Sequence, residues 1–441
     1  MNLRKTIDSI LVALNYYYGT RWTTHYPPLG VLMMGYCMDI GKYFGSDNLG
    51  VGLYVIPQFI ICIVTIAYGF NMMDRWKSPI WLRAFAILFF SLCPIIPMYA
   101  VMEIKDTYYY IVFLWIIYIL TMEYQNIDRN YVWFIIAILI CVMCMLRNEG
   151  KYVCLLSCVV LIIARKRTKL RWKKCLVSMI TGIIMATVIT SGLCKIYNIQ
   201  DGSIREALSV PIQQTARYMR NHEDDVTEYE WKILDDIFDG NAHELGDVYE
   251  PNRADAAKWK MVYYPTHEQL KNYFIVWMKQ FIKHPATYIA AAFNEMYGYV
   301  YIEKPEYYGG GFSLGNPSDS SIVHGDIMPT NNPRGEKIRS YIWVYSQLWN
   351  NLPVINMLYH PATFMWIIFI TMGFVLKSRK YGELSYFAFP IGNFLICCVS
   401  PVNGAVRYTL PVIYSCFILM AFTCYIRNYT NNVEDEQQWC I

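Results

Sequence analysis

The chain has 441 residues and a formal net charge of only +4, and charged residues make up just 16% of it. Soluble domains carry about a quarter, and a nucleic-acid-binding face needs a concentrated basic excess, so neither description suits the chain. Hydrophobic residues reach 55% and mean hydropathy is positive, which leaves an all-α integral membrane protein as the class that fits.

In chain order, residues 1–49 open with Asp8 and the run Thr24-His25-Tyr26-Pro27-Pro28. The stretch 28–44 is short and carries Asp39 and Lys42, so an interfacial helix suits it as well as a span does. A spanning helix needs about 20 apolar residues, and such runs are predicted near 50–71, 79–99, 107–123, 131–147, 151–164 and 175–195. A long polar segment, 196–360, follows and holds about twenty acidic residues. Its middle reads as amphipathic helices at 268–283 and 285–299, with a Gly/Asn/Pro/Ser-rich loop from Gly309 to Gly335. Stretch 285–302 is apolar enough to rest on a membrane interface. It is not counted as a span, because one extra span would invert the charge pattern that follows. Three further spans are predicted near 361–377, 383–400 and 407–427.

Lys and Arg in short loops orient such a chain. The connection Arg165 to Lys174 holds seven basic residues and no acid, which makes it cytoplasmic. Alternation puts Arg75/Lys77/Arg83, Asp128/Arg129 and Lys377/Arg379/Lys380 on the same face. Glu103–Asp106, Arg147–Lys151, the 196–360 segment and Ser400–Arg407 then lie opposite. The expected organisation is an extracytoplasmic loop with a juxtamembrane helix (1–49), a six-helix transmembrane module (50–195) and a large, mainly helical extracytoplasmic loop (196–360). A three-helix module (361–427) and a cytoplasmic tail (428–441) complete it. If 28–44 is interfacial, parity also implies one further helix upstream of Met1.

Absences narrow the chemistry. There is no GxxxxGK[ST], GxGxxG or HExxH motif and no Asp-x-Asp pair. The fourteen cysteines fall mostly within apolar runs, with the i, i+3 pair Cys141 and Cys144 inside one of them, and read as small buried hydrophobes. What is present is a series of polar clusters at the outer ends of predicted helices: Asp8, the His25 run, Glu103 to Asp106, Arg147-Asn148-Glu149, and Arg407-Tyr408. A charge at mid-bilayer costs roughly 2.5–3.5 kcal/mol on insertion scales, and helix ends avoid that cost, so each cluster alone reads as interfacial anchoring. Together they place carboxylates and cations on one side of the membrane, a setting for an anionic lipid headgroup meeting a neutral acceptor.

The order HYPPLG…LMMGY, KDT, RNEG and RYTLP resembles the GT-C superfamily of membrane glycosyltransferases. It is most similar to the protein O-mannosyltransferase-like branch and an uncharacterised bacterial polytopic family within it. The resemblance implies a bundle of about nine transmembrane helices, with the first helix of the family lacking, juxtamembrane helices and one large extracytoplasmic loop. It implies catalytic carboxylates at Asp8 and Asp106, and lipid-phosphate or donor contacts from His25, Lys105, Arg147, Arg407 and Tyr408. Asp8 is followed by Ser9 where many relatives carry Glu, so no metal ligands are assigned, no cofactor is certain, and a divalent cation is left open.

The expected activity is an inverting transfer of a sugar from a polyprenyl-phosphate donor to a cell-envelope acceptor (a glycan, lipid or protein) at the outer face of a bacterial cell membrane. Membrane lipid is an expected partner and nucleic acid is not. A flippase or transporter of lipid-linked saccharides is the alternative from another class. Transporters tend to show inverted repeats and midplane polar sites, and neither is visible here. A glycan polymerase would use a similar lipid substrate and a similar loop.

Overall fold

The computed structural model describes residues 13–14, 16–19, 22–125, 130–302 and 333–438, without side chains at 125, 333–336, 339, 350 and 429–438. Within these residues the fold is all-helical, and extended backbone is confined to isolated bridges such as Thr23 to Gln200 and Arg253 to Val402.

Among the described residues from 28 to 196, eight α-helices follow one another. They are α1 (Pro28–Tyr43), α2 (Asp47–Arg75), α3 (Ile80–Leu92), α4 (Ile95–Val101), α5 (Lys105–Met122), α6 (Asn130–Leu146), α7 (Glu149–Ala164) and α8 (Trp172–Ile196). The segment 196–360, called the outer segment after its expected side, contributes α9 (Ser209–His222), α10 (Glu228–Ile237), α11 (Asp255–Lys260), α12 (His267–Lys283), α13 (Pro285–Met296) and α14 (Pro333–Asn351). The chain closes with α15 (Pro361–Lys377), α16 (Ala388–Cys398) and α17 (Val406–Gln438).

Helices α2, α8 and residues 406–428 of α17 are each long and apolar enough to cross a membrane. The pair α3 and α4 makes a fourth if its 55° bend lies within one span, whereas α6 and α15 are apolar but shorter. The exposed surface of these helices is itself apolar: Ile56, Val64, Phe85, Leu88, Phe134, Ile184 and Val188 all face outward. A water-soluble protein rarely leaves so much apolar surface contiguous.

Three predicted elements differ in detail. The 79–99 run is broken at Cys93-Pro94, because a proline offers no N–H to continue the ladder. The 383–400 run starts with a 3-10 turn, Tyr381–Phe387, leaving α16 only 11 residues. The last helix runs on through Gln438 with no break near 428. Residues 303–332, most of the predicted Gly309–Gly335 loop, lie outside the described residues, and α14 already begins at Pro333.

Small residues set the closest helix contacts, as they do where lipid tails compete with helix packing. A Cβ on Gly182 would lie 2.7 Å from the Ala137 carbonyl oxygen, so α6 and α8 touch backbone to backbone. The central core is aromatic and aliphatic, built around Tyr110, Phe113, Ile117, Phe389, Leu410 and Phe417. The outer segment has its own core of Ile212, Tyr218, Leu234, Phe238, Tyr273 and Tyr288, with capping boxes at Thr227 and Thr266 starting α10 and α12.

Candidate functional site

The site grows from four helix ends. α4 stops at Val101, and its last carbonyls would be orphans in an apolar interior. Gln58 of α2 donates to the Ala100 and Met102 carbonyls (3.0 and 2.8 Å), and Thr107 of α5 donates to the Tyr99 carbonyl (2.6 Å). These bonds hold the turn that delivers Lys105 and Asp106 as the first two residues of α5. Arg147 follows the last residue of α6, and Glu149 opens α7. Each thus carries the charge its helix dipole favours: acid at an N-terminus, cation at a C-terminus. The turn between them is tight, since a Cβ on Gly150 would meet the Met143 carbonyl at 3.0 Å.

Arg407 and Tyr408 occupy the first turn of α17. Asn393 of α16 donates to the Tyr408 carbonyl (3.0 Å), and the preceding loop is gripped by the outer segment. There, the side chain of fully buried Asn403 accepts from the Gly298 N–H (2.7 Å), and the Tyr299 hydroxyl donates to the Val402 carbonyl (2.8 Å). Placement of Arg407 therefore depends on residues more than a hundred positions upstream.

The charged groups meet at a buried ion pair. Arg147 and Asp106 are 2.7 Å apart with side chains only 10% and 8% exposed, and Arg147 also reaches Glu149 at 3.2 Å. The Arg147 guanidinium lies 4.9 Å from the Tyr408 ring centre and 5.4 Å from that of Tyr109. Arg407 flanks the same Tyr408, 5.0 Å from the ring centre, and donates to its hydroxyl (3.1 Å). The Lys105 ammonium rests 3.4 Å from the Tyr26 ring centre. Arg407 and Lys105 both lie within electrostatic reach of Asp106. Among the described residues neither of these two cations has a carboxylate at ion-pair distance; their partners are tyrosines. Three cations thus face two carboxylates, and the surplus is positive.

His25 sits on a strap pinned from two sides. Asn148 donates to the Thr24 carbonyl (3.1 Å), while Gly202 of the outer segment donates its N–H to the Thr24 hydroxyl (2.8 Å). Desolvation lowers the His25 pKa, Lys105 and Lys258 push in the same direction, and Glu206 and Glu149 oppose them. Those four neighbours join the helix-end cluster to a second one on the outer segment. There the buried Lys258 pairs with Glu206 (2.5 Å) and Asp255 (3.6 Å), and Arg253 pairs with Asp255 (2.6 Å).

Of the residues predicted from sequence, Lys105, Asp106, Arg147, Arg407, Tyr408 and His25 come together at one end of the bundle. Asp8 lies outside the described residues. Sequence reasoning missed Tyr26 and Tyr109 as the rings beneath the cations, and it missed the Glu206–Lys258 pair. Tyr26 stood inside the quoted motif and could have been found; Glu206 and Lys258 carry no motif at all. Among the described residues no three His, Cys, Asp or Glu side chains gather as a metal site, and no disulfide forms.

No curated protein and no solved structure matches the chain. The profile of one family, DUF6020, described as a family of unknown function, matches residues 19–438. That span takes in every element of the site described above, and the chain belongs to this family.

Proposed function

We propose that the chain is a multi-pass membrane glycosyltransferase that moves a sugar from a polyprenyl-phosphate donor to an acceptor on the extracytoplasmic face. The observation that carries this reading is the surplus of positive charge at the helix ends, where Lys105 and Arg407 have tyrosines but, among the described residues, no carboxylate at ion-pair distance. A buried or half-buried cation without a counter-charge is costly, and a phosphate anion would supply the missing partner. On this reading Arg407, Lys105 and one face of Arg147 hold the phosphate, and the Tyr408 ring lies beside both guanidiniums.

The reaction has one displacement. An acceptor hydroxyl oxygen attacks C1 of the sugar, the C1–O bond to phosphate breaks, and its electron pair leaves on the phosphate. The bound cations stabilise that charge as it develops, a role typically worth about 3–4 kcal/mol per well-placed donor. Asp106 is committed to Arg147 at 2.7 Å, which suits a carboxylate that positions the guanidinium better than one that takes a proton. Glu149 is more open, with its side chain 44% exposed. Asp8 is the carboxylate we assign to the acceptor hydroxyl, whose proton it takes as the bond to C1 forms.

Sidedness supports the same picture. The exposed basic connection 165–174 lies at the opposite end of the bundle, where Thr168 bonds Ser385 and Trp76 stacks on Tyr425 in the second half of α17. With that end cytoplasmic, the site and the outer segment face outward, and nine helical passes satisfy the parity.

The test is transfer from radiolabelled polyprenyl-phosphate sugars by purified protein in detergent, where no sealed membrane exists and transport cannot register. Arg407→Gln and Lys105→Gln should each reduce transfer by about 10²-fold or more, the usual loss when one charge-stabilising donor is removed. Unchanged transfer in both variants would remove the phosphate site, and unchanged transfer in Asp8→Asn would remove the role given to that carboxylate.

A further inference from the structure

The outer segment is not wholly a solvated loop. Its last helix, α14, carries Ile338, Tyr341, Ile342, Tyr345 and Leu348 at i, i+3, i+4, i+7 and i+10, the spacing of one helical face. Ordinarily such a face is buried against protein. Here all five side chains are exposed, from 39% at Tyr345 to 62% at Tyr341. The neighbouring Leu352, Val354, Ile355 and Met357 are exposed too.

A direct bond from this face to the bundle says where the helix lies. The Tyr345 hydroxyl donates to the Leu92 carbonyl at 2.7 Å. That carbonyl ends α3 where the ladder breaks: the Ile96 N–H, its helical donor by spacing, bonds Cys93 instead. In water a free carbonyl needs no side-chain donor. In hydrocarbon it costs several kcal/mol unless satisfied, and α3 around it exposes Phe85, Leu88 and Leu92 itself. On its other side α14 is anchored by Ser346, whose hydroxyl bonds that of Tyr359 (3.3 Å), and by Trp349 against the core.

We infer that α14 lies in the extracytoplasmic leaflet of the bilayer, with its Ile338–Leu348 face against lipid acyl chains and Tyr345 capping the broken span. The inference rests on the membrane reading above, and on no assumption about the reaction. It makes the outer segment a part of the protein that touches lipid beside the bent helix pair.

Single cysteines tested in the full chain decide it. The protein is placed, one chain per disc, in nanodiscs of phosphatidylethanolamine and phosphatidylglycerol and treated with a water-soluble maleimide, with the unsubstituted chain as baseline. Tyr229→Cys on α10 is the water-facing control and Val188→Cys on α8 the lipid-facing one; both parent residues are exposed. Tyr341→Cys, Ile342→Cys and Leu348→Cys should react at least about tenfold more slowly than Tyr229→Cys, because an apolar setting suppresses the thiolate, and should react fully once unfolded in detergent. Rates equal to Tyr229→Cys, with Val188→Cys still protected, overturn the placement of α14 and leave the membrane reading intact. Rates as fast as Tyr229→Cys at Val188→Cys as well would overturn both. Protection that appears only with two chains per disc would make a second copy the occupant and overturn the assignment to lipid.

Discussion

The two ends of the helical bundle hold their charges in opposite ways. At the basic end, Arg165, Lys166, Arg167, Lys173 and Lys174 are exposed, and their contacts are with neutral groups such as the Tyr381 ring beside Arg167 and the Asn130 side chain that accepts from Lys174, while the Thr168–Ser385 hydroxyl pair and the packing of Gly382 on the Arg167 carbonyl hold the backbone. At the site end, Arg147 and Asp106 are buried, and Lys105 and Arg407 are half-covered by tyrosine rings. Exposed charges interact weakly, with surface pairs worth about 0–1 kcal/mol, and are tolerated almost anywhere. Buried charges must be desolvated and compensated. The second arrangement is therefore expensive and needs a reason, and the ligand proposed for it is that reason.

The comparison yields measurable differences. Arg147→Ala strands Asp106 in an apolar setting and should destabilise the detergent-purified protein by about 3–5 kcal/mol, read as a large fall in Tm. A fall no bigger than that of a surface variant would erase the contrast between the ends. Arg147→Lys keeps the charge but loses the planar fork and should fall between the two.

At the basic end the largest effect should come from packing. Gly382→Ala drives a methyl group into the Arg167 carbonyl and should cost about 1–3 kcal/mol. Protease cleavage within 165–174 should speed up alongside the lower Tm.

A third test uses Glu295, a fully buried carboxylic acid on α13 whose two oxygens have no hydrogen-bond partner among the described residues. Desolvation raises its pKa to about 8, with Lys258 opposing and Asp255 adding to the rise. A pKa raised in the folded state means the native protein holds a proton that the unfolded chain releases near the ordinary carboxyl value. Its contribution is complete below that value, and it is lost as pH climbs through about 8. Glu295→Gln should therefore match the parent near pH 5 and exceed it in Tm at pH 8. An identical pH profile in both proteins would show that Glu295 is ionised when folded.

Smallest of all should be Lys166→Ala, within about 0.5 kcal/mol of the parent. A larger loss would mean the basic loop is held by charge after all.

Much of the fold could be read from the sequence because apolar run length is a local property. Helices α2, α8 and α17 announce themselves in consecutive residues, and so does the basic connection 165–174. The break at Cys93-Pro94 was equally local, since Pro94 was in plain view, but how far the two halves diverge depends on what packs around them. The outer segment was legible as helices and not as a surface. Its acids marked it as polar, whereas the exposed face of α14 and the bond from Tyr345 to Leu92 emerge only when distant parts are assembled.

The candidate site divides the same way. Residue identity and helix-end position marked Lys105, Asp106, Arg147, Arg407 and Tyr408, because charges in an apolar chain can sit at few other places. Sequence alone could not say that Arg147 would pair with Asp106 forty-one positions away, that two guanidiniums would lie about 5 Å from one Tyr408 ring, or that two cations would have no carboxylate at ion-pair distance among the described residues. Those are consequences of distances between helices, fixed by contacts such as Gly182 on Ala137 and Asn403 on Gly298. Hydropathy is carried by each residue and survives in any arrangement of the helices, whereas ion pairing falls off within a few ångströms, so only the tertiary structure could decide which charges meet.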